Sequence, residues 1–419
     1  MEVHPFSIFE KEESSQSSLD QSRVYLDHNA TAPLAKDLGP ALTEALFHWG
    51  NPSSIHFMGR GPKNILREAR KNIASSIGAS PLEIIFTSGG SESNTTVLKG
   101  LYDHFLLAPL EAGLSIERTE IVSTQIEHPS VIKTLRLLEA RGMKLHLLPV
   151  DRLGRIDLAK YEKVLSSKTA FVSVMLANNE TGTLLPVKKM AEIAHRYGAL
   201  FHTDAVQGLG KIPVNVQDLG VDYATFSGHK FYSLKGSGFI YSKQGAPFYS
   251  MILGGGQERH RRGGTENTLA QLSLGLMARK ISEVSARAEQ IQGLRDLLEK
   301  RILEEISGVQ ITASESERLP NTSSLIIAGV DGETLLMSLD MKGFSVSTGA
   351  ACSSGNPEPS PVLLAMGLTR AEAQSSLRVS LGWENTEEQI SKFVETLKTV
   401  VARLRSIGRE YEKAANEIR

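Results

Sequence analysis

Leu200-Phe201-His202-Thr203-Asp204-Ala205-Val206-Gln207 and Tyr223-Ala224-Thr225-Phe226-Ser227-Gly228-His229-Lys230 decide the fold of this chain. Each begins as a short apolar run, residues 200–203 and 223–226, and ends in polar, turn-forming residues. Such runs read as buried strands. Open α/β sheets place their ligand chemistry just past strand ends. A lysine after a strand is ordinarily a solvated surface residue. Lys230 has unusual company: Ser227 and His229 beside it, Asp204 and Gln207 at the end of the preceding run.

The same alternation extends outward. Strands are expected at 83–87, 121–124, 145–150, 170–177 and 238–241, and helices at 35–49, 64–77 and 187–197. Strand and helix in turn over about 83–242 predict an α/β fold with a mostly parallel sheet. Polar clusters follow the strands and therefore collect along one sheet edge. Ser88-Gly89-Gly90-Ser91-Glu92 opens a helix after the first strand, an arrangement whose free N–H groups suit an anion. It is neither a P-loop nor a GxGxxG turn. Glu127-His128-Pro129 and Asn178-Asn179-Glu180-Thr181-Gly182 end two further strands. A mostly helical stretch over 269–306 leads to a second α/β region with strands near 323–327, 344–346 and 377–381. Arg378 lies inside the last of these, where an arginine wants an anionic partner. An amphipathic helix is expected over 387–409.

An aldehyde cofactor such as pyridoxal 5'-phosphate needs an amine, a carboxylate at the pyridine nitrogen, a donor at the phenolic oxygen and a phosphate cup. Lys230, Asp204, Gln207 and the pair Ser227 and His229 could supply these in one place.

Composition sets the bounds. The 419 residues allow two or three domains, and the 41% hydrophobic and 22% charged content is that of a globular enzyme. A net charge of −1 gives no reason to expect a nucleic acid or a membrane surface as partner. No apolar run approaches the ~18 residues of a membrane span. Residues 1–22 are polar, with Lys11 their only Lys or Arg, and read as a disordered arm on a cytoplasmic protein. The histidines show no HExxH or similar spacing, so no metal is assigned. Cys352 is the single cysteine, which excludes an internal disulfide. Gly, Ser and Pro surround it, so it reads as an exposed thiol in a mobile loop.

Together these segments resemble the cysteine desulfurases, class V members of the fold-type I pyridoxal-phosphate enzymes. The most specific pieces are Ser227-Gly228-His229-Lys230, Asn178 to Gly182, Gly254 to Thr268 and Gly349 to Ser353. The resemblance implies a large domain, 38–285, holding a mostly parallel seven-stranded sheet. A smaller α/β C-terminal domain, 286–419, would carry the thiol loop, and 23–37 would pack with it. It makes Lys230 the Schiff-base lysine, Asp204 the pyridinium partner and Gln207 the donor to the phenolic oxygen. His128 would stack on the ring and move protons. Gly90, Ser91, Ser227 and His229 would cup the phosphate, and Thr265 would reach the phosphate of a partner subunit in a homodimer. Asn179 and Arg378 would hold the substrate carboxylate, and Cys352 would take sulfur from L-cysteine as a persulfide. The sulfur would pass to an acceptor protein, for iron–sulfur cluster assembly or other trafficking.

Two departures stand out. His28 and Ala32 occupy positions where that family usually has Asn and Thr, and the chain ends at Arg419 without the extended tail that some members use to dock a scaffold. Three other readings share the motifs: a selenocysteine lyase acting on L-selenocysteine, a class V aminotransferase without thiol chemistry, and a non-catalytic adaptor on a dead fold. The first is separated by comparing the two amino acids as substrates. Keto acid formation marks the second, and absence of a chromophore the third.

Overall fold

A computed structural model describes residues 23–348 and 358–417; the arm expected over 1–22 and the thiol Cys352 lie outside them. The described strands are β1 (Val24–Tyr25), β2 (Ile84–Thr87), β3 (Glu120–Thr124), β4 (Lys144–Leu148), β5 (Thr169–Ser173) and β6 (Leu200–Asp204), then β7 (Tyr223–Ser227), β8 (Gly238–Ser242), β9 (Val309–Ile311), β10 (Thr322–Ile327), β11 (Phe344–Ser345) and β12 (Ser376–Ser380). Seven form the central sheet in the order β2-β8-β7-β6-β5-β3-β4. Only β8 runs against its neighbours, so the sheet is mostly parallel, as the sequence predicts.

Alternate residues of these strands enter different cores. Ile84, Phe86, Val172 and Phe226 join one buried cluster, whereas Ile85, Phe171, Tyr223 and Ile240 join another. That is the period-two consequence of the strand backbone, with apolar layers on both faces. It explains why β5, β7 and β8 are buried at every position.

Strand β2 is an edge, and side chains complete it. Glu258 accepts from Phe86 N at 3.0 Å and from both terminal nitrogens of Arg70. Arg70 and Arg261 donate to the Ile84 carbonyl. Phe86 N and the Ile84 carbonyl are thus occupied, which blunts this edge as a template for foreign strands. The cover comes from a loop in which Glu258, Arg259 and His260 all have positive φ, 47°, 57° and 64°. Three consecutive left-handed non-glycine residues are strained. The buried Arg70–Glu258 pair holds them there.

A third core includes Leu298, Ile302, Leu325, Phe393 and Leu397, between the helices Val284–Glu305 and Glu387–Glu417 and the antiparallel sheet β12-β10-β9. The N-terminal segment joins the two halves. Strand β1 pairs with β11, His28 N donates to Ser380 O at 3.1 Å, and Ala32 N donates to His229 O at 2.7 Å.

Boundaries differ from expectation where irregular backbone intervenes. The strand expected over 170–177 ends at Ser173, and the chain continues extended through single bonds from Val174 N and Leu176 N to β6. The helix expected over 35–49 spans Leu38–Ala45, and the one expected from 64 begins at Phe57.

Candidate active site

The C-terminal ends of β3, β5, β6 and β7 deliver the predicted residues to one edge. Lys230 lies in a single turn following β7. Its Nζ donates to the carbonyls of Asn29 and Ala30, both at 2.7 Å. Burial and then Arg378 lower its pKa, Asp27 and Asp204 oppose them, and the net fall is from 10.5 to about 8. A proton on Lys230 is therefore easily given up.

Asp204 ends β6 and is buried. Its Oδ1 accepts from Val206 N at 3.0 Å and its Oδ2 from Asn94 Nδ2 at 2.7 Å. The Asn94 side chain also donates to Ser130 Oγ at 2.9 Å and accepts from Thr225. Ser130 in turn fixes His128. Ser130 N donates to His128 Nδ1 at 3.1 Å, because His128 caps the helix Pro129–Ala140. Since Nδ1 accepts, the neutral ring carries its proton on Nε2. Loss of solvent lowers the His128 pKa, with Asp204 opposing and Lys230 adding to the effect. So Asn94 links the two expected cofactor contacts, Asp204 and His128.

A pocket of ≈ 490 Å³ opens beside them, lined by Ser88 to Ser91 on one side and Ser227, His229 and Lys235 on the other. It sits on the N-terminus of the helix Gly90–Tyr102. Gly89 has φ +155°, and a Cβ on Gly90 would stand 2.9 Å from Val206 Cγ2. Only glycine lets the backbone N–H groups turn into this space. Glu92 in the first turn does not repel an anion outright, since Arg262 neutralises it at 2.9 Å. His229 bonds Thr31 through Nδ1 at 3.1 Å, and burial and the cations Lys230, Lys235 and Lys211 push its pKa to about 4. Thr265 is exposed and does not line this pocket.

Arg378 lies in β12 and reaches across from the other half of the molecule. Its Nη2 pairs with Asp27 at 2.8 Å and its Nη1 donates to Asn179 O at 3.1 Å. Its Nε is buried without a partner among the described residues. An unpaired buried donor on an arginine is costly and fits an anionic ligand group. The structure thus brings Lys230, Asp204, His128, Arg378 and Asn179 together, with the glycine cup alongside.

Sequence reasoning missed Asn29. It is buried, and its Nδ2 donates to Asn179 O at 3.1 Å and Thr322 Oγ1 at 2.8 Å. Its Oδ1 accepts from Lys211 at 2.8 Å and Asn321 at 3.1 Å. Its carbonyl takes both Gln207 and Lys230. The visible signal was the polar run Asp27-His28-Asn29 inside an otherwise apolar segment. His28 is itself buried and neutral, its pKa pushed to about 4 mainly by burial, and its ring packs edge-on to Tyr25.

Glu127, next to His128, is also buried. Burial raises its pKa from 4.5 to about 8; bonds from Met175 N and Thr124 oppose this and Asp204 adds to it. It is therefore neutral at pH 7. Its folded pKa exceeds its unfolded one, so its contribution to stability is full below about 4.5 and is lost as pH rises through about 8. Thermal unfolding should show the melting temperature of Glu127→Gln falling less over that window than the wild type's. Equal pH dependence would contradict a neutral Glu127.

Comparison with known proteins gives the family. Residues 24–393 match the family described as aminotransferase class-V. "Cysteine desulfurase IscS" of Dictyoglomus turgidum is 41% identical over 387 residues, 92% of this chain and 96% of that protein. The solved structure titled "NIFS-LIKE PROTEIN" superposes with a TM-score of 0.83 at 35% identity, covering 91% of this chain and 99% of the other. "SspA in complex with cysteine" does so at 0.74 and 30%, covering 85% and 98%. The fold and site define a pyridoxal-phosphate enzyme. The chain belongs to the class-V aminotransferase family.

Proposed function

We infer that the chain is a cysteine desulfurase that converts L-cysteine to L-alanine and passes the sulfur to Cys352. The observation that carries this reading is the convergence of Lys230, Asp204 and His128 with an arginine, Arg378, whose Nε is buried and unpaired.

Pyridoxal phosphate, when bound, supplies the electron sink that allows the Cα–H and C–S bonds of an amino acid to be broken. The residues that would hold it are those of the cup, Gly90, Ser91, Ser227 and His229, with Asp204 at the ring nitrogen, Gln207 at the phenolic oxygen and His128 over the ring. Lys230, with its pKa near 8, would hold the cofactor aldehyde and exchange the substrate proton. His128 Nε2 would carry a second proton close by. Arg378 and Asn179 would seat the substrate carboxylate. Cys352 Sγ, as thiolate, takes the substrate sulfur: an S–S bond forms as the C–S bond breaks, and protonation of the carbon fragment gives alanine. A neighbouring base helps, because a free thiol with a pKa near 8.5 is only a few per cent ionised at neutral pH. Arg378→Gln should raise KM for cysteine by about 10²-fold with kcat changed far less, as loss of a charged hydrogen bond to the carboxylate requires. An unchanged KM would remove Arg378 from the substrate site.

We further propose a cytoplasmic homodimer that hands sulfur to an acceptor protein, with 38–285 and 286–419 as its two domains. Phe47, Trp49, Ile55 and Phe57 are all at least 75% exposed, a cluster of large apolar side chains suited to a second copy. Exposed Thr265 would then serve the partner's phosphate cup. Mixed dimers of Lys230→Ala and Thr265→Ala subunits should recover part of the activity that neither homodimer has. A fully active monomer would contradict the shared site.

A further inference from the structure

Lys211 is a second buried lysine at the site, and no catalytic role above uses it. It follows Gln207 by four residues in a tight run of turns, in which Gly208 N and Leu209 N both donate to Ala205 O and Lys211 N donates to Gly208 O. Residues so spaced lie on one side of the chain. Lys211 is 8% exposed. Its Nζ donates to Asn29 Oδ1 at 2.8 Å and to Gln207 Oε1. Among the described residues no ion pair neutralises it. The charged or titratable groups that face it are Lys230 and Arg378, both cationic, and the neutral rings of His28 and His229.

Gln207 is held at both ends of its amide. Its Oε1 accepts from Lys211 and its Nε2 donates to Asn29 O at 3.1 Å. An amide is otherwise free to flip, because its two ends differ little in shape. Here only one orientation satisfies both partners: the carbonyl takes a hydrogen from the Lys211 amine, and the NH₂ faces the Asn29 carbonyl, which can only accept, with its second hydrogen to spare. A lysine amine, charged or neutral, has a hydrogen to offer at such a point.

We propose that Lys211 is a positioning residue that locks the Gln207 amide so that its NH₂, not its carbonyl, is offered to the phenolic oxygen of the cofactor. This rests on the placement of Gln207 at that oxygen. The lock also explains why a lysine is retained in a buried, cation-rich place where its charged form costs stability. Burial, together with Lys230 and Arg378, holds its pKa well below the ordinary 10.5.

The test uses the holoenzyme and reads the bound chromophore instead of turnover. Visible absorption is titrated against pH for the wild type, Gln207→Leu, Lys211→Met and the double variant, and the melting temperature of each apoprotein is recorded. A donor to the phenolic oxygen favours its anionic form, so losing it should move the spectroscopic midpoint by about one pH unit. Lys211→Met should shift the midpoint in the same direction as Gln207→Leu, and the double variant should shift no further than Gln207→Leu alone. A Lys211→Met protein that melts lower but titrates like wild type, while Gln207→Leu shifts, overturns the proposal: Lys211 is then only a pin for Asn29, and Gln207 keeps its place. If neither variant shifts, the placement of Gln207 fails and the proposal fails with it. Should Lys211→Met not fold, Lys211→Gln replaces it. Its shorter arm cannot serve Asn29 and Gln207 together, so a midpoint identical to wild type would again overturn the lock.

Discussion

Lys230→Ala protein is expected to lose cysteine turnover by at least about 10⁴-fold and to carry no chromophore that borohydride can fix to the chain. Two losses combine. The variant has no amine at the end of β7 to hold the aldehyde, and no group with a pKa near 8 to exchange the substrate proton. The Asn29 and Ala30 carbonyls, which accept from Nζ, would turn to water or to Lys211. Peptide mapping after borohydride treatment of the wild type decides the matter. Cofactor fixed on Lys211, the other buried lysine of the site, would overturn the assignment.

The catalytic frame was legible because each of its parts follows a strand. Lys230, Asp204 and His128 each come at or within a few residues of a strand's end, so the α/β pattern alone sends them to one edge. The glycine cup was legible for the same reason, as a turn between β2 and a helix. What stayed hidden depends on contacts between distant segments. Asn29 gains its role only because β1 pairs with β11 and carries the following turn back over β7. Lys211 sits in Gly210-Lys211-Ile212-Pro213, which reads as an exposed turn, and only its bonds to Asn29 and Gln207 show otherwise. Asn94 lies in the helix that follows the glycine turn, but its tie to Asp204 crosses from one strand-helix unit to another. Glu258 falls in the glycine- and arginine-rich stretch Gly254 to Thr268, yet its carboxylate is buried against the sheet edge. Local pattern locates strand ends; it does not reveal which polar groups close a network across them.

The second large effect concerns Cys352. Cys352→Ala should bind pyridoxal phosphate and cysteine as the wild type does, since Lys230, Asp204 and Arg378 are intact. Sulfide release from cysteine should fall to background, because the chain contains no other cysteine to take the sulfur. A sequence rich in Gly, Ser and Pro around Cys352 suits a thiol that must meet first the substrate and then an outside acceptor. Selenocysteine is the informative contrast, because its selenium leaves carbon more readily. Turnover lost on cysteine and kept on selenocysteine would assign the thiol to sulfur acceptance. Wild-type desulfuration by Cys352→Ala would instead favour a class V enzyme without thiol chemistry.

The most direct measurement exposes purified wild-type holoprotein briefly to L-cysteine without reductant, then determines alanine and the mass of the Cys352 peptide on the same sample. The expected result is one sulfur atom added to that peptide for each alanine formed in the first turnover. Keto acid in place of alanine, or alanine formed with the Cys352 peptide unchanged, would contradict the account.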